Sequence, residues 1–341
     1  MPKEIVQRAN YIDAVKGLAI LCITFLHFEQ GVIPQWLNVW IGMFMISTFY
    51  FTSGWITSLQ SKSITPKDLF KKRIKQLGIP YLWFSALIIA FDIIWCLFGF
   101  METQILLRDI YKTITLRGIG TLWFLPVLFI GEFIFCTIKN SKHKLILATV
   151  GIIIVLTTQY LYYDIWGAIK NESTFNRLID APLQPIARGV MSWPIIAIGF
   201  LFAKYIWKEV YKLKKTFILL IGVAIISFSI LLIVAPPFKL YYINGVLSNF
   251  LPAVGFICLF VALGEKNHIS RFFTFWGINS LILMCTHYSI TMEIFKTLDA
   301  KFIHTGFTGY TTIIYFIITI LVTYPLVWLF NHKLKFMIGK K

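Results

Sequence analysis

Ten apolar runs of about helix-crossing length constrain this chain more than anything else in it. They fall near 15–33, 36–58, 79–100, 119–138, 145–163, 189–207, 217–235, 245–264, 273–295 and 310–331. A helix rising 1.5 Å per residue needs about twenty apolar residues to cross a hydrocarbon layer about 30 Å thick. With 58% of its 341 residues hydrophobic and only 14% charged, the chain is too apolar for a soluble domain. The expected fold class is all-α: a polytopic membrane protein of about ten transmembrane helices.

The connections between the runs carry the orientation. Threading the runs alternately from a cytoplasmic N-terminus places 23 of the 32 lysines and arginines on the cytoplasmic side and 9 opposite, with both termini cytoplasmic. The cytoplasmic set comprises Lys3, Arg8 and Lys16, the Lys62 to Lys75 cluster, Lys139 to Lys144, Lys204 to Lys215, Lys266 with Arg271, and Lys333 to Lys341. A net charge of +17 would suit nucleic acid on a soluble fold, but these cations sit in short clusters between apolar runs, so no nucleic-acid partner is expected. Membrane lipid is. Cys22, Cys96, Cys136, Cys258 and Cys285 all fall inside apolar runs without metal-ligand spacing, so neither disulfide nor metal is expected. The first run lacks the marks of a cleavable leader. Connections are short, and residues 1–341 read as one integral-membrane domain without a soluble module. The longest outer segments, 101–118 and 164–188, mix charges with aromatics such as Tyr111 and Trp166, and read as interfacial anchors or as an acceptor rim.

The first run, DAVKGLAILCITFLHF, carries Asp13, Lys16 and His27, and polar groups inside a membrane usually face a cavity or a partner. Eleven positions separate Lys16 from His27, close to three full turns, so the two share a face about 16 Å apart. Asp13 and Thr24 extend the same stripe. A cation at the cytoplasmic mouth and an imidazole deep in the membrane would suit an elongated anionic molecule entering from the cytoplasm. The plainer reading pairs Asp13 with Lys16 and makes His27 a packing contact. The three aligned together favour function.

After the second run comes SKSITPKDLFKKRIKQLGIPYLW. Its lysines read as a lipid-touching anchor or as a phosphate-binding mouth, with Arg73 foremost for phosphate because its fork suits the oxygens. Further intramembrane ionisable groups are Asp92, Glu132, His287 and Glu293. One carboxylate beside His27 would orient its ring, and spacing does not say which.

These motifs together resemble the bacterial acyltransferase-3 family of integral-membrane O-acyltransferases, and within it the fucose 4-O-acetylase-like branch. The resemblance rests on Asp13, Lys16 and His27 in YIDAVKGLAILCITFLHF, Ser53 and Gly54 in FYFTSGW, and Arg73, Pro80 and Tyr81 in KKRIKQLGIPY. It continues through Leu122, Trp123 and Phe124 in LWFL to Gly277, Asn279, Ser280 and His287 in WGINSLILMCTH. Many members have arginine where this chain has Lys16, and the family's paired arginines are broken here by Gln76, with Lys72 and Lys75 nearby. The resemblance implies transfer of an acyl group, usually acetyl from acetyl-CoA, to a sugar hydroxyl of an envelope glycan or its lipid-linked precursor, in the bacterial cytoplasmic membrane. It casts His27 as general base with Asp13 and Glu132 as supporting acids. Lys16, Arg73, Lys72, Lys75 and Trp123 would hold the donor, and Ser53, Asn279, Ser280 and His287 the acceptor. A homo-oligomer stays open. The rival reading is a transporter or flippase for an envelope glycan or small anion, to which ten spans with buried ionisable groups also lend themselves.

Overall fold

The computed structural model describes residues 9–29, 31–60, 63–235, 241–304, 306 and 309–340. Lys3, Arg8, Lys62, Lys239 and Lys341 of the charge count lie outside the described residues. All regular structure among the described residues is helical. The helices are α1 (Asn10–Phe28), α2 (Gln35–Ser58), α3 (Pro66–Leu97), α4 (Thr103–Ile114), α5 (Gly120–Asn140) and α6 (Lys144–Ile169). They continue with α7 (Thr174–Val210), α8 (Lys215–Val234), α9 (Tyr241–Leu263), α10 (His268–Ile278), α11 (Ser280–Ile303) and α12 (Tyr310–His332).

Nine helices among the described residues are long and apolar enough to span a bilayer, and the α10–α11 pair, bent by 62°, makes a tenth if it counts as one. Every apolar run thus coincides with a helix, and the chain is an all-α polytopic membrane protein. The boundaries moved for identifiable reasons. The first span runs 10–28 rather than 15–33, because Asp13 and Lys16 pair inside its first turns and Glu29 stops it. The Glu29 carboxylate accepts from Val32 N (2.7 Å), Ile33 N (3.2 Å) and Asn38 Nδ2 (2.6 Å), which holds the connection to α2. The ninth run, 273–295, breaks at Asn279. Residues 103–114 of the first long outer segment form the amphipathic helix α4.

Several spans pass through π-helical turns, at Ile74–Gly78, Gln159–Trp166, Phe202–Ile206, His287–Met292 and Asp299–Ile303. In α3 the cause is local. Pro80 has no N–H to donate and its ring crowds the carbonyl four residues earlier, so the helix widens just before it. Thr65 caps the start of α3 by accepting from Asp68 N (3.2 Å), with Pro66 in the first turn, where a missing N–H costs nothing.

The chain forms two compact units. The first comprises residues 1–61, 195–284 and 298–324. Its core joins Ile12, Val15, Phe51, Trp55, Trp207 and Ile257. Glycines set how closely its helices approach. A Cβ on Gly17 would lie 1.8 Å from the Phe273 carbonyl oxygen, one on Gly277 1.7 Å from that of Asp13, and one on Gly54 1.8 Å from that of Ile196. Backbone thus rests on backbone at each crossing, the small-residue packing that membrane helices use in place of a hydrophobic drive. Trp40 Nε1 donates to Ser229 Oγ (3.0 Å), tying α2 to α8.

The second unit comprises residues 62–194, 285–297 and 325–341. Phe84 packs on Phe330, Trp83 on Phe336, and Trp95 Nε1 donates to Thr297 Oγ1 (3.1 Å). Tyr81 Oη donates to the Thr113 carbonyl (2.8 Å), anchoring the end of α4 on α3.

Candidate active site

In the first unit, α1 holds the polar stripe. Lys16 Nζ donates to Asp13 Oδ1 at 3.2 Å. Asp13 is buried at 5% exposure, whereas the Lys16 side chain is about one-fifth exposed, so the ammonium remains reachable. A buried carboxylate needs such a partner. Thr24 is fully buried and donates to the Ile20 carbonyl (2.9 Å), so the helix itself satisfies that member of the stripe. His27 is half-buried in the last turn. Glu29, the carboxylate closest to it in sequence, serves the α1–α2 connection.

The second-span and late motifs work as joints. Ser53 is buried in α2, and its neighbour Gly54 admits the α7 backbone. Gly277 admits α1. Asn279 Nδ2 donates to the Phe275 carbonyl (2.8 Å), while its own carbonyl accepts from Ile282 N (3.0 Å) and Leu283 N (3.3 Å). Asn279 therefore closes α10 and opens α11. Ser280, half-buried, starts α11 directly after this bend.

In the second unit, Arg73 and Glu132 form an ion pair. Arg73 Nη2 donates to Glu132 Oε1 (2.6 Å), Nε faces Oε2, and Nη1 donates to Gln76 Oε1 (2.6 Å). Glu132 is almost fully buried on α5. The Glu132 carboxylate lies against a guanidinium 59 positions away in the chain. Arg73, foremost among the expected phosphate ligands, is the charge that Glu132 neutralises, and Gln76, the residue that breaks the paired arginines, completes its fork. Lys71, Lys72 and Lys75 are exposed and make no ion pair among the described residues. A small cavity of about 150 Å³ opens beside Arg73, walled by Leu77, Tyr81, Leu116, Leu125 and Phe129.

Trp123 closes the short 3₁₀ turn that opens α5, between the buried Leu122 and Phe124. The Arg188 guanidinium lies over its ring at 4.2 Å. Gly118 and Gly120, at φ +76° and +52°, fold the loop before it. A Cβ on Gly118 would lie 2.3 Å from Trp123 N. Asp180 is buried and accepts from Tyr162 Oη (2.8 Å) and Trp166 Nε1 (3.1 Å). This makes Trp166 a partner of a buried acid. His287 is fully buried at the head of a π-turn, and Asp92 is buried in α3 with Oδ2 lacking a hydrogen-bond partner among the described residues.

Sequence reasoning missed Arg188 and Asp180 as structured groups. The available signal was an arginine and an aspartate eight positions apart in a proline-rich apolar helix, where a charge needs a reason. His27, Lys16, Ser53, Asn279 and Ser280 lie in the first unit, and Arg73, Lys72, Lys75, Glu132, Trp123 and His287 in the second. No cluster of three or more potential metal ligands exists among the described residues.

Fold and site define a multi-pass membrane protein with charged and imidazole groups held inside helices, which is the setting of an integral-membrane enzyme. The family model described as an acyltransferase domain matches residues 9–332 and so covers nearly the whole chain, including most of both units. The chain belongs to the acyltransferase-3 family and is a membrane acyltransferase. No curated protein and no solved structure matches it.

Proposed function

We propose that this acyltransferase moves an acetyl group from cytoplasmic acetyl-CoA to a sugar hydroxyl of a cell-envelope polysaccharide or its lipid-linked precursor, in the bacterial cytoplasmic membrane. The acceptor class follows the fucose 4-O-acetylase-like resemblance. One observation carries the reading: in a chain of this family, α1 holds a reachable Lys16 ammonium, braced by Asp13, and a half-buried His27 about 16 Å further along the same face. That separation suits a donor whose phosphates stay at the mouth while its thioester reaches the imidazole.

His27, in its neutral form, accepts the proton of the sugar hydroxyl as that oxygen attacks the thioester carbonyl. The carbon–sulfur bond breaks, and the CoA thiolate leaves and takes up a proton. The products are an O-acetyl sugar and free CoA. Lys16 holds the donor phosphates at the mouth, and Lys72 and Lys75, exposed and in no ion pair among the described residues, remain assigned to the donor. Arg73, tied to Glu132, stands between Lys72 and the π-turn that carries Lys75. Ser53, Asn279, Ser280 and His287 remain the groups assigned to the acceptor.

The test uses His27→Ala and His27→Asn in membranes carrying the native glycan, with acetyl-CoA added. Free CoA and base-labile acetate on the glycan should both fall at least about 100-fold, the scale of general-base assistance, with protein abundance unchanged. Full glycan acetylation by a folded His27→Ala protein would remove His27 from the chemistry.

A further inference from the structure

Arg188 sits well inside the 37-residue helix α7, 14 positions after its first residue, Thr174. Its side chain is half-buried. Its one contact among the described residues that orients the guanidinium is the Trp123 ring, 4.2 Å below it. Among the described residues no carboxylate lies within ion-pair distance of it and no acceptor takes any of its five N–H groups. A stacked arginine with an idle fork is costly at this depth, because a partly desolvated cation normally has an acidic partner.

The neighbouring guanidinium is similar. Arg117 comes from the loop that Gly118 and Gly120 fold, and its closest approach to Asp180 is a single 3.6 Å contact, too long for a hydrogen bond. Asp180 spends its other oxygen on Tyr162 and Trp166. Arg117 and Trp123 leave one loop and meet α7 at Asp180 and Arg188, two turns apart. Asp180 is therefore the carboxylate that faces Arg117, and the Arg188 fork is left without one among the described residues. The ring behind Arg188 holds the guanidinium plane in place, which preorganises it for an oxyanion arriving from the open side.

We propose that Arg188, backed by the Trp123 ring, is a binding subsite for an oxyanion, phosphate or carboxylate, carried by the sugar acceptor. For the identity of its occupant the assignment rests on the acyltransferase reading above. The anion-binding chemistry stands independently of it. The subsite makes the enzyme selective for acidic acceptors, since a neutral sugar leaves the Arg188 fork without an acidic partner.

The experiment needs no acyl donor, so its failure differs from a failure of the acetyl-transfer reading. The full chain, purified in neutral detergent, is titrated at constant ionic strength with glucose 1-phosphate, glucuronate or glucose, following tryptophan emission. In a fourth arm phosphatidylglycerol is added to the micelles. A saturable change with one or both acidic sugars and none with glucose is expected. Arg188→Lys, which keeps the charge but not the fork, should weaken it about tenfold or more, and Trp123→Phe should remove most of the signal while leaving binding measurable by calorimetry. Size-exclusion profiles exclude misfolded variants. Binding of acidic sugars unchanged in Arg188→Lys, or absent in wild type, overturns the proposal. A response confined to phosphatidylglycerol also overturns it, by making the occupant a lipid headgroup.

Discussion

Replacing Gly277 with alanine tests how tightly the helix that bears Lys16 and His27 is seated. The added Cβ would lie 1.7 Å from the Asp13 carbonyl oxygen and 2.9 Å from Gly17 N, both main-chain atoms that no rotamer change can move. Contacts under 3.0 Å are essentially never seen for a real Cβ, so α1 and α10 must part by more than about 1 Å. A gap of that size forfeits a quarter to a half of the attraction between facing atoms. With the strain of overpacking, the cost is about 2–3 kcal/mol, or a melting temperature lower by on the order of 5 °C. Gly17→Ala meets the Phe273 carbonyl at 1.8 Å and should cost about as much. The double variant should cost clearly less than the sum, because helices parted by one methyl have room for the other. Gly42→Ala on α2 is the control: its Cβ meets nothing within 4 Å, so helix propensity alone should leave it neutral or slightly stabilising. The assay is thermal unfolding in detergent, followed by fluorescence-detected size exclusion, beside acyl-transfer rate. A shift of this kind in α1 should lower the rate on the order of 100-fold, the scale reported for small misplacements of catalytic groups. Gly277→Ala melting with or above wild type would refute the reasoning, as would strict additivity.

Two further perturbations follow from the second unit. Arg73→Ala and Glu132→Ala should each destabilise by about 2–3 kcal/mol, toward the low end for a buried pair because Arg73 retains some exposure, and a double-mutant cycle should return about 1–2 kcal/mol of coupling; independent effects would show that the pair does not hold α3 to α5. Gly118→Ala combines a left-handed φ of +76° with a 2.3 Å approach to Trp123 N, so it should cost about 2 kcal/mol or more and shift tryptophan emission; an unchanged spectrum would mean that the loop does not set the Trp123 ring.

Membrane physics made most of the architecture readable from sequence. A bilayer accepts almost nothing but apolar helices of sufficient length, so each run near twenty residues had one destination. The α1 stripe was readable for a related reason: α1 carries no π-turn, and the 3.6-residue repeat holds from Asp13 to His27. What stayed hidden depends on contacts distant in sequence. No spacing rule joins Arg73 to Glu132 or Trp123 to Arg188, since each pair is made by different helices meeting through glycine and loop geometry. Amphipathic α4 also hid, because its charges read as a polar connection. The widened turns were invisible because no residue pattern reports a carbonyl that skips one partner, although Pro80 marks one of them in hindsight.

Those widened turns make the protein's length a functional variable. Each holds one residue more than an ordinary helix needs, so removing a single codon within 74–78 or 287–292 would restore regular winding at little local cost. A deletion in an unwidened stretch would instead rotate everything on one side of it by about 100° around the axis. Relatives that lose one residue at such a turn would keep the flanking side chains facing nearly as before, so the widened turns mark the places where a span can change length and keep its packing.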